Sequence, residues 1–203
     1  EGAGVSAQQS HFFSAHTRGF RGGYASSRHS FSVSPIASLP GRNAEMQRDA
    51  WYSSERDAAE LASPEAVGRY AAQRALSRLG SRKIATTQCP VLFESTLAAG
   101  LLGGFVHAVS GGALYRKTSF LLDALGTQMF ARGIRIFDDP HRPHGLRSRP
   151  FDGEGLPVSP LALVEDGMLE TWLLDSASAR QLGLEPTGHA SRGIGGAPGV
   201  GPS

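Results

Sequence analysis

Cysteine and lysine are scarce in this sequence, and no long uninterrupted apolar run is present. Cys89 is the only cysteine among 203 residues, so no internal disulfide can form, and a reducing compartment is compatible. No run of about 18 apolar residues exists to span a bilayer. The longest candidate, Leu97 to Leu114, is broken by glycines and His107. The opening Glu1-Gly2-Ala3-Gly4 leads into no apolar signal-peptide pattern. Lysine occurs only at Lys83 and Lys117, so arginine supplies almost all the positive charge, and the formal net charge is only +2. Although the pI is near 9.0, no basic stripe of the kind nucleic acid requires is visible. Neither nucleic acid nor a membrane is therefore expected as a partner.

What is present suits a globular chain of one large or two small domains: 40% hydrophobic residues, 19% charged residues and 26 glycines. The stretch from Leu97 to Asp123, LAAGLLGGFVHAVSGGALYRKTSFLLD, organises the rest. It reads as a small, glycine-studded helix apolar on every side, and such a helix is expected to be buried. Each glycine costs up to about 1 kcal/mol of helix propensity, which tight packing or a site must offset. The helix breaks at Gly111-Gly112 into the polar run Tyr115-Arg116-Lys117-Thr118-Ser119. That run is either a surface turn or a place where Arg116 and Lys117 grip a peptide carboxylate or an acidic partner.

Earlier in the chain, Phe12-Phe13 reads as a strand leading to a hairpin that turns at Gly22-Gly23; the other reading of this stretch makes Arg18, Phe20, Arg21 and Tyr24 a nucleic-acid or peptide clamp. The alternation of His29, Phe31 and Val33 with serines marks a half-buried strand. A loop follows at 39–43, and 46–53 reads as another strand. Ser63-Pro64-Glu65 opens a helix with cap, N1 proline and dipole-favoured acid. Val67, Tyr70, Ala71, Leu76 and Leu79 form its apolar face, Arg69, Arg74 and Arg78 lie mostly outside it, and Gly80 ends it. Residues 81–88 read as a linker and 89–94 as a short buried strand in which Cys89 is an inert thiol. Farther on, Asp166-Gly167 marks a hairpin over 161–174, and Asp175 caps a short helix ending at Gly183. His141 and His144 lie in a Pro/Gly loop with no ligand-presenting helix, so no metal is assigned to them. The tail from Thr187 reads as a loop whose one chemical residue is His189.

Several ordered motifs resemble the TldD/PmbA family, the "modulator of DNA gyrase" peptidases, in its PmbA (TldE) branch. They are Leu101-Leu102-Gly103-Gly104, Gly111-Gly112, Tyr115 to Leu121, Asp123, Pro150-Phe151-Asp152 with Glu154-Gly155, Val164 to Gly167, Asp175-Ser176, Ser178-Ala179-Arg180, Leu182-Gly183-Leu184 and Thr187 to Ala190. The zinc-bearing TldD branch carries His-Glu-x-x-x-His in this helix, and those positions fall here on Gly103, Gly104 and Ala108. None of the three can ligate zinc, which takes imidazole, thiolate or carboxylate.

The resemblance implies an α+β fold. Residues 1–80 would form part of a middle domain, an antiparallel sheet with a helix, and 81–88 the linker. Residues 89–203 would be the first part of a β-rich C-terminal domain with the buried glycine-rich helix, the whole being an internal-to-C-terminal fragment. It also implies a cytoplasmic heteromeric peptidase in which this chain is the metal-free subunit, with no cofactor and no catalytic residue of its own. Zinc is expected on a TldD-like partner, and small or unfolded peptides are the expected substrates, in leader-peptide maturation or antitoxin-type degradation. Arg116, Lys117 and His189 are the expected substrate-binding residues. The other reading is a non-proteolytic binding or regulatory module acting on a topoisomerase or toxin partner.

Overall fold

The computed structural model describes residues 1–41, 45–193, 195–197 and 199–203. The fold is mixed α+β with antiparallel sheets, as expected, and it divides into two compact units. The first comprises Glu1–Phe12 and Ala25–Pro90; the second comprises Phe13–Tyr24 and Val91–Ser203.

Strands β1 (Gly2–Ala15), β2 (Arg21–Ser34) and β5 (Trp51–Glu55) form a sheet in that order, and the first unit holds β1 as far as Phe12, β2 from Ala25 and all of β5. The β2–β5 pairing is antiparallel and sets Phe31 opposite Ser53 and Val33 opposite Trp51. A second antiparallel pair joins β3 (Ile36–Ser38) to β4 (Met46–Arg48). Helix α1 (Pro64–Ser77) packs on β3, β4 and β5. Ser63 caps it as expected, its side chain accepting the Ala66 N–H at 3.2 Å.

The strand expected over 46–53 is two strands, because Asp49 interrupts it. Its carboxylate accepts the Ala50 N–H at 2.8 Å, a local bond that competes with the ladder. The same carboxylate ion-pairs with Arg74 at 3.3 Å and Arg78 at 3.5 Å. Arg74 thus belongs to the packed side of α1, where its guanidinium lies 5.1 Å from the Trp51 ring centroid, while Leu76 is exposed. The Ala50 N–H holds the Asp49 carboxyl below its ordinary pKa, and Arg74 and Arg78 add to this against the opposing effect of burial. Of the loop expected over 39–43, Arg42 and Asn43 lie outside the described residues.

Residues 81–94 form no helix or strand. The buried strand expected at 89–94 is absent: Leu92 is 99% exposed and Cys89 is exposed too. An apolar run shows what would gain from burial, but a strand needs a hydrogen-bonding neighbour, and Pro90 has no N–H to offer one.

The second unit is built on α2 (Ser95–Ala108), α3 (Gly111–Tyr115), β6 (Ile136–Asp138), β7 (Leu161–Glu165), β8 (Met168–Leu169), α4 (Ser176–Leu182), β9 (Ala190–Ser191) and β10 (Gly199–Val200). Strands β6, β7 and β8 form an antiparallel sheet, and β9 pairs with β10. The Asp166-Gly167 turn joins β7 to β8 with φ of 46° and 81°, the left-handed pair that a two-residue hairpin demands. The core gathers Phe105, Val109, Leu163, Leu169, Trp172 and Leu173. Only the C-terminal half of α2 reaches it, through Phe105 and Ala108; Leu97, Leu101 and Leu102 are exposed.

The β1–β2 hairpin turns at His16–Phe20, not at Gly22-Gly23. His16 N–H donates to the Phe20 carbonyl at 3.1 Å, and Gly19 adopts φ 94°. Gly22 serves a different end, since a Cβ there would lie 2.8 Å from both the Phe20 and Phe151 rings. Its missing side chain lets those rings meet edge to face at 4.9 Å.

Two glycines of the organising stretch respond oppositely to alanine. A Cβ on Gly111 would meet Ser178 Cβ at 2.5 Å and Leu174 Cδ2 at 2.9 Å, whereas one on Gly104 meets nothing within 4 Å. Gly111→Ala is expected to destabilise the protein by about 1–3 kcal/mol. Gly104→Ala should leave stability unchanged or raise it by up to about 1 kcal/mol. Urea unfolding of both variants beside the parent protein checks this; equal midpoints would refute the tight α3–α4 contact.

Candidate functional site

The candidate site rests on how α3 and α4 are held together. Asp175 caps α4 by accepting the Ser178 N–H at 2.8 Å, and the Ser178 hydroxyl in turn accepts the Asp175 N–H at 3.2 Å, a closed box. Such boxes satisfy two free ends at once and fix the first turn. Gly111 brings the α3 backbone against that turn. Its N–H donates to the Leu173 carbonyl at 2.7 Å, while the Leu173 N–H donates to Val109 at 3.0 Å. Beside this junction opens a cleft of about 340 Å³, lined among others by His107, Ser110, Tyr115, Arg116, Gln181 and Val200.

Arg116 is the one expected site residue in this cleft. It sits at the C-cap of α3 and folds back over Gly112, where an added Cβ would lie 3.3 Å from a guanidinium nitrogen. It is exposed and makes no ion pair among the described residues. Lys117 is also exposed; its backbone is left-handed with φ 55°, and it does not line the cleft. His107, Ser110, Tyr115 and Gln181 supply hydrogen-bonding groups around Arg116.

His189 lies elsewhere and is only 1% exposed. Its Nε2 meets Asp138 Oδ2 at 3.2 Å, and its Nδ1 meets the Thr187 hydroxyl at 2.9 Å. That hydroxyl accepts the Leu174 N–H at 2.8 Å. A second buried carboxylate, Asp152, accepts the N–H groups of Glu154, Leu156 and Ala190 at 2.9, 2.9 and 3.1 Å. Together Asp138 and Asp152 pin the segment that leads into β9. His189 itself does not line the cleft; it precedes β9, which pairs with β10, and Gly199 and Val200 of β10 border the cleft.

The sequence offered both carboxylates only as companions of His141 and His144 in a metal site that was not assigned, and their role as acceptors of buried N–H groups was not legible. Asp138 precedes Asp139-Pro140 and Asp152 precedes Gly153, so each reads as turn chemistry; nothing in their spacing points to the buried N–H groups they serve.

The residues present do not fit zinc. Among the described residues no three His, Cys, Asp or Glu side chains group so as to hold a metal ion. Among the described residues that line the cleft, Asp175 is the one carboxylate beside His107, and it is committed to the α4 cap. Nor, among those residues, is any helix long and apolar enough to cross a membrane.

Burial pushes the Asp138 carboxyl up, but the hydrogen bond and charge of His189, with the Ser203 N–H, outweigh it and hold the group below the usual carboxylate range. In the interval between that depressed pKa and the ordinary value near 4, the unfolded chain binds the extra proton. The stabilisation is therefore complete above about pH 4 and is lost as pH falls through the folded value. Asp138→Asn should remove this part of the acid dependence. Trp172 fluorescence during denaturation, in a Trp51→Phe background, reports it; an unchanged acid slope would count against the Asp138–His189 pair.

Family models match the chain twice and in order. The PmbA/TldA metallopeptidase central domain covers residues 2–79, and the PmbA/TldA metallopeptidase C-terminal domain covers residues 86–203. Metalloprotease PmbA of Escherichia coli O157:H7 is 45% identical over 174 residues, which is 86% of this chain and 38% of that protein. The chain thus spans less than two fifths of this relative's length. A solved structure from Bacteroides thetaiotaomicron, described as a candidate modulator of DNA gyrase, aligns with a TM-score of 0.83 at 25% identity, over 91% of this chain and 42% of that one. TldE from Thermococcus kodakarensis shares the fold, with a TM-score of 0.72 at 22% identity over 98% of this chain and 44% of that one. With both domain models matched in sequence order on an α+β chain whose motifs resemble the same family, the chain belongs to the PmbA/TldA metallopeptidase family.

Proposed function

We propose that this chain is part of the metal-free subunit of a heteromeric zinc peptidase that cleaves small or unfolded peptides, with the zinc held by a TldD-like partner. One observation carries the reading. By the family resemblance, Gly103, Gly104 and Ala108 of α2 fall where the zinc-bearing branch has His-Glu-x-x-x-His, and none of the three side chains has a ligand atom. The metalloprotease name of the E. coli relative and the TldE name of the Thermococcus structure support placing the chain in such an assembly.

In this reading the chain contributes by orientation: binding groups outside the chemistry fix a substrate where reaction occurs and exclude water. Arg116 faces the cleft and grips an acidic group or backbone carbonyl of the peptide, with Tyr115, Ser110 and Gln181 as neutral partners. Lys117, exposed but outside the cleft lining, contributes positive charge near its edge. His189 is a positioning residue that steadies the β9–β10 edge through Asp138. Leader peptides and antitoxin-type proteins are the substrate classes, and the cytoplasm is the compartment.

Metal content by mass spectrometry on the full-length protein, alone and with its partner, tests the assignment. About one zinc per pair and none on this subunit alone is expected; stoichiometric zinc on this subunit alone would overturn it. In the reconstituted pair Arg116→Ala should lower peptide kcat/KM about tenfold, the worth of one charge-assisted contact. Unchanged cleavage would remove Arg116 from the site.

A further inference from the structure

A second cleft, of about 480 Å³, lies on the other side of the first turn of α4, and Ala177 lines both. Three arginines reach it from three separate segments: Arg18 from the β1–β2 turn, Arg180 from α4, and Arg192 just after β9. Among the described residues the only carboxylate lining it is Glu154, which already accepts the Ser176 N–H at 2.9 Å. Three guanidinium groups therefore share one concave surface with a single, engaged counter-charge. No ion pair joins any of them to an acid among the described residues.

The arginines are also held. Arg18 rides on a turn closed by the His16–Phe20 and Gly19–His16 hydrogen bonds, each 3.1 Å, and its own N–H donates to His16 Nδ1 at 3.1 Å. Phe20 anchors that turn on Phe151. Arg192 has its Nε committed to the Gly196 carbonyl at 2.9 Å, which fixes the plane of the group and leaves its terminal nitrogens without a bond among the described residues. Arg180 stands in the last turn of the boxed helix. Arginine pays for itself where a planar, forked donor meets a carboxylate or phosphate, and ordering the fork in advance raises the gain per bond.

We propose that this cleft is a binding site for a carboxylate carried by a peptide, either its C-terminal carboxylate or an acidic side chain, gripped by Arg18, Arg180 and Arg192. The choice of a peptide as carrier rests on the function proposed above; the anion site itself rests on the three arginines. Because the guanidinium groups are exposed, the attraction is screened by salt.

The test is fluorescence anisotropy with the full-length protein and three labelled peptides of one alanine-rich sequence. One ends in a free carboxylate, one in an amide, and one is the amide with a single internal glutamate. At low salt at least one charged peptide should bind about tenfold more tightly than the plain amide. The one that does identifies the source of the carboxylate. The double variant Arg18→Ala, Arg180→Ala should erase that preference while leaving the plain amide's affinity unchanged, and thermal melts of the variant establish that it folds. Equal binding of all three peptides, or a preference that survives in the folded variant, overturns the anion site and leaves the peptide reading standing. Binding of none of the three overturns both.

Discussion

A pair of backbone hydrogen bonds on Leu173 holds the second unit together. Its N–H reaches back to Val109 and its carbonyl receives Gly111, so one fully buried residue joins the α2–α3 junction to the lead-in of α4. Both candidate clefts inherit their shape from this join. The first lies directly beside it, and the second lies across the boxed turn of α4 that the join positions. Such bonds are worth little net when made, but a buried backbone group left without its partner costs the full desolvation penalty. The approach that makes them is possible only because position 111 has no side chain to collide with Ser178 and Leu174.

Polar groups do much of the remaining ordering, and in both units the same device recurs. A carboxylate near the end of a strand accepts backbone N–H groups and meets a cationic or imidazole partner. Asp49 does this for α1 through Arg74 and Arg78, and Asp138 does it through His189 and the Ser203 N–H. Each carboxylate is held below its ordinary pKa, so both act as acid-sensitive fastenings with the same sign. The apolar core supplies the bulk of the burial, and these few contacts select which loop lies where.

The sequence was most legible where local chemistry decides the outcome. Ser63-Pro64, Asp166-Gly167 and Asp175 with Gly183 are signals written in neighbouring residues, and each marks the element it announces. The family resemblance, carried by ordered motifs, was legible for the same reason. What failed depends on partners remote in sequence. The 89–94 run is apolar but has no strand beside it, and α2 is apolar all round yet reaches the core only near Phe105. Gly22-Gly23 resembles a turn, but its role is to admit the ring of Phe151, which no local pattern reveals. Of the candidate site, Arg116 was visible from its neighbours; Asp138 and the three-arginine cleft arise from segments that only the fold brings together.

The β1–β2 turn has a further consequence for where this chain can be cut. Residues 13–24 cluster with 91–203 and not with the sheet from which they extend, so the units are not consecutive along the chain. A recombinant piece that starts in the 81–88 stretch would match the C-terminal family model and still lack Phe20 and Tyr24, the two rings that cover Phe151. Boundaries drawn from sequence similarity alone would expose an aromatic surface that belongs to the native interior of that unit, and expression of the piece by itself would inherit that defect.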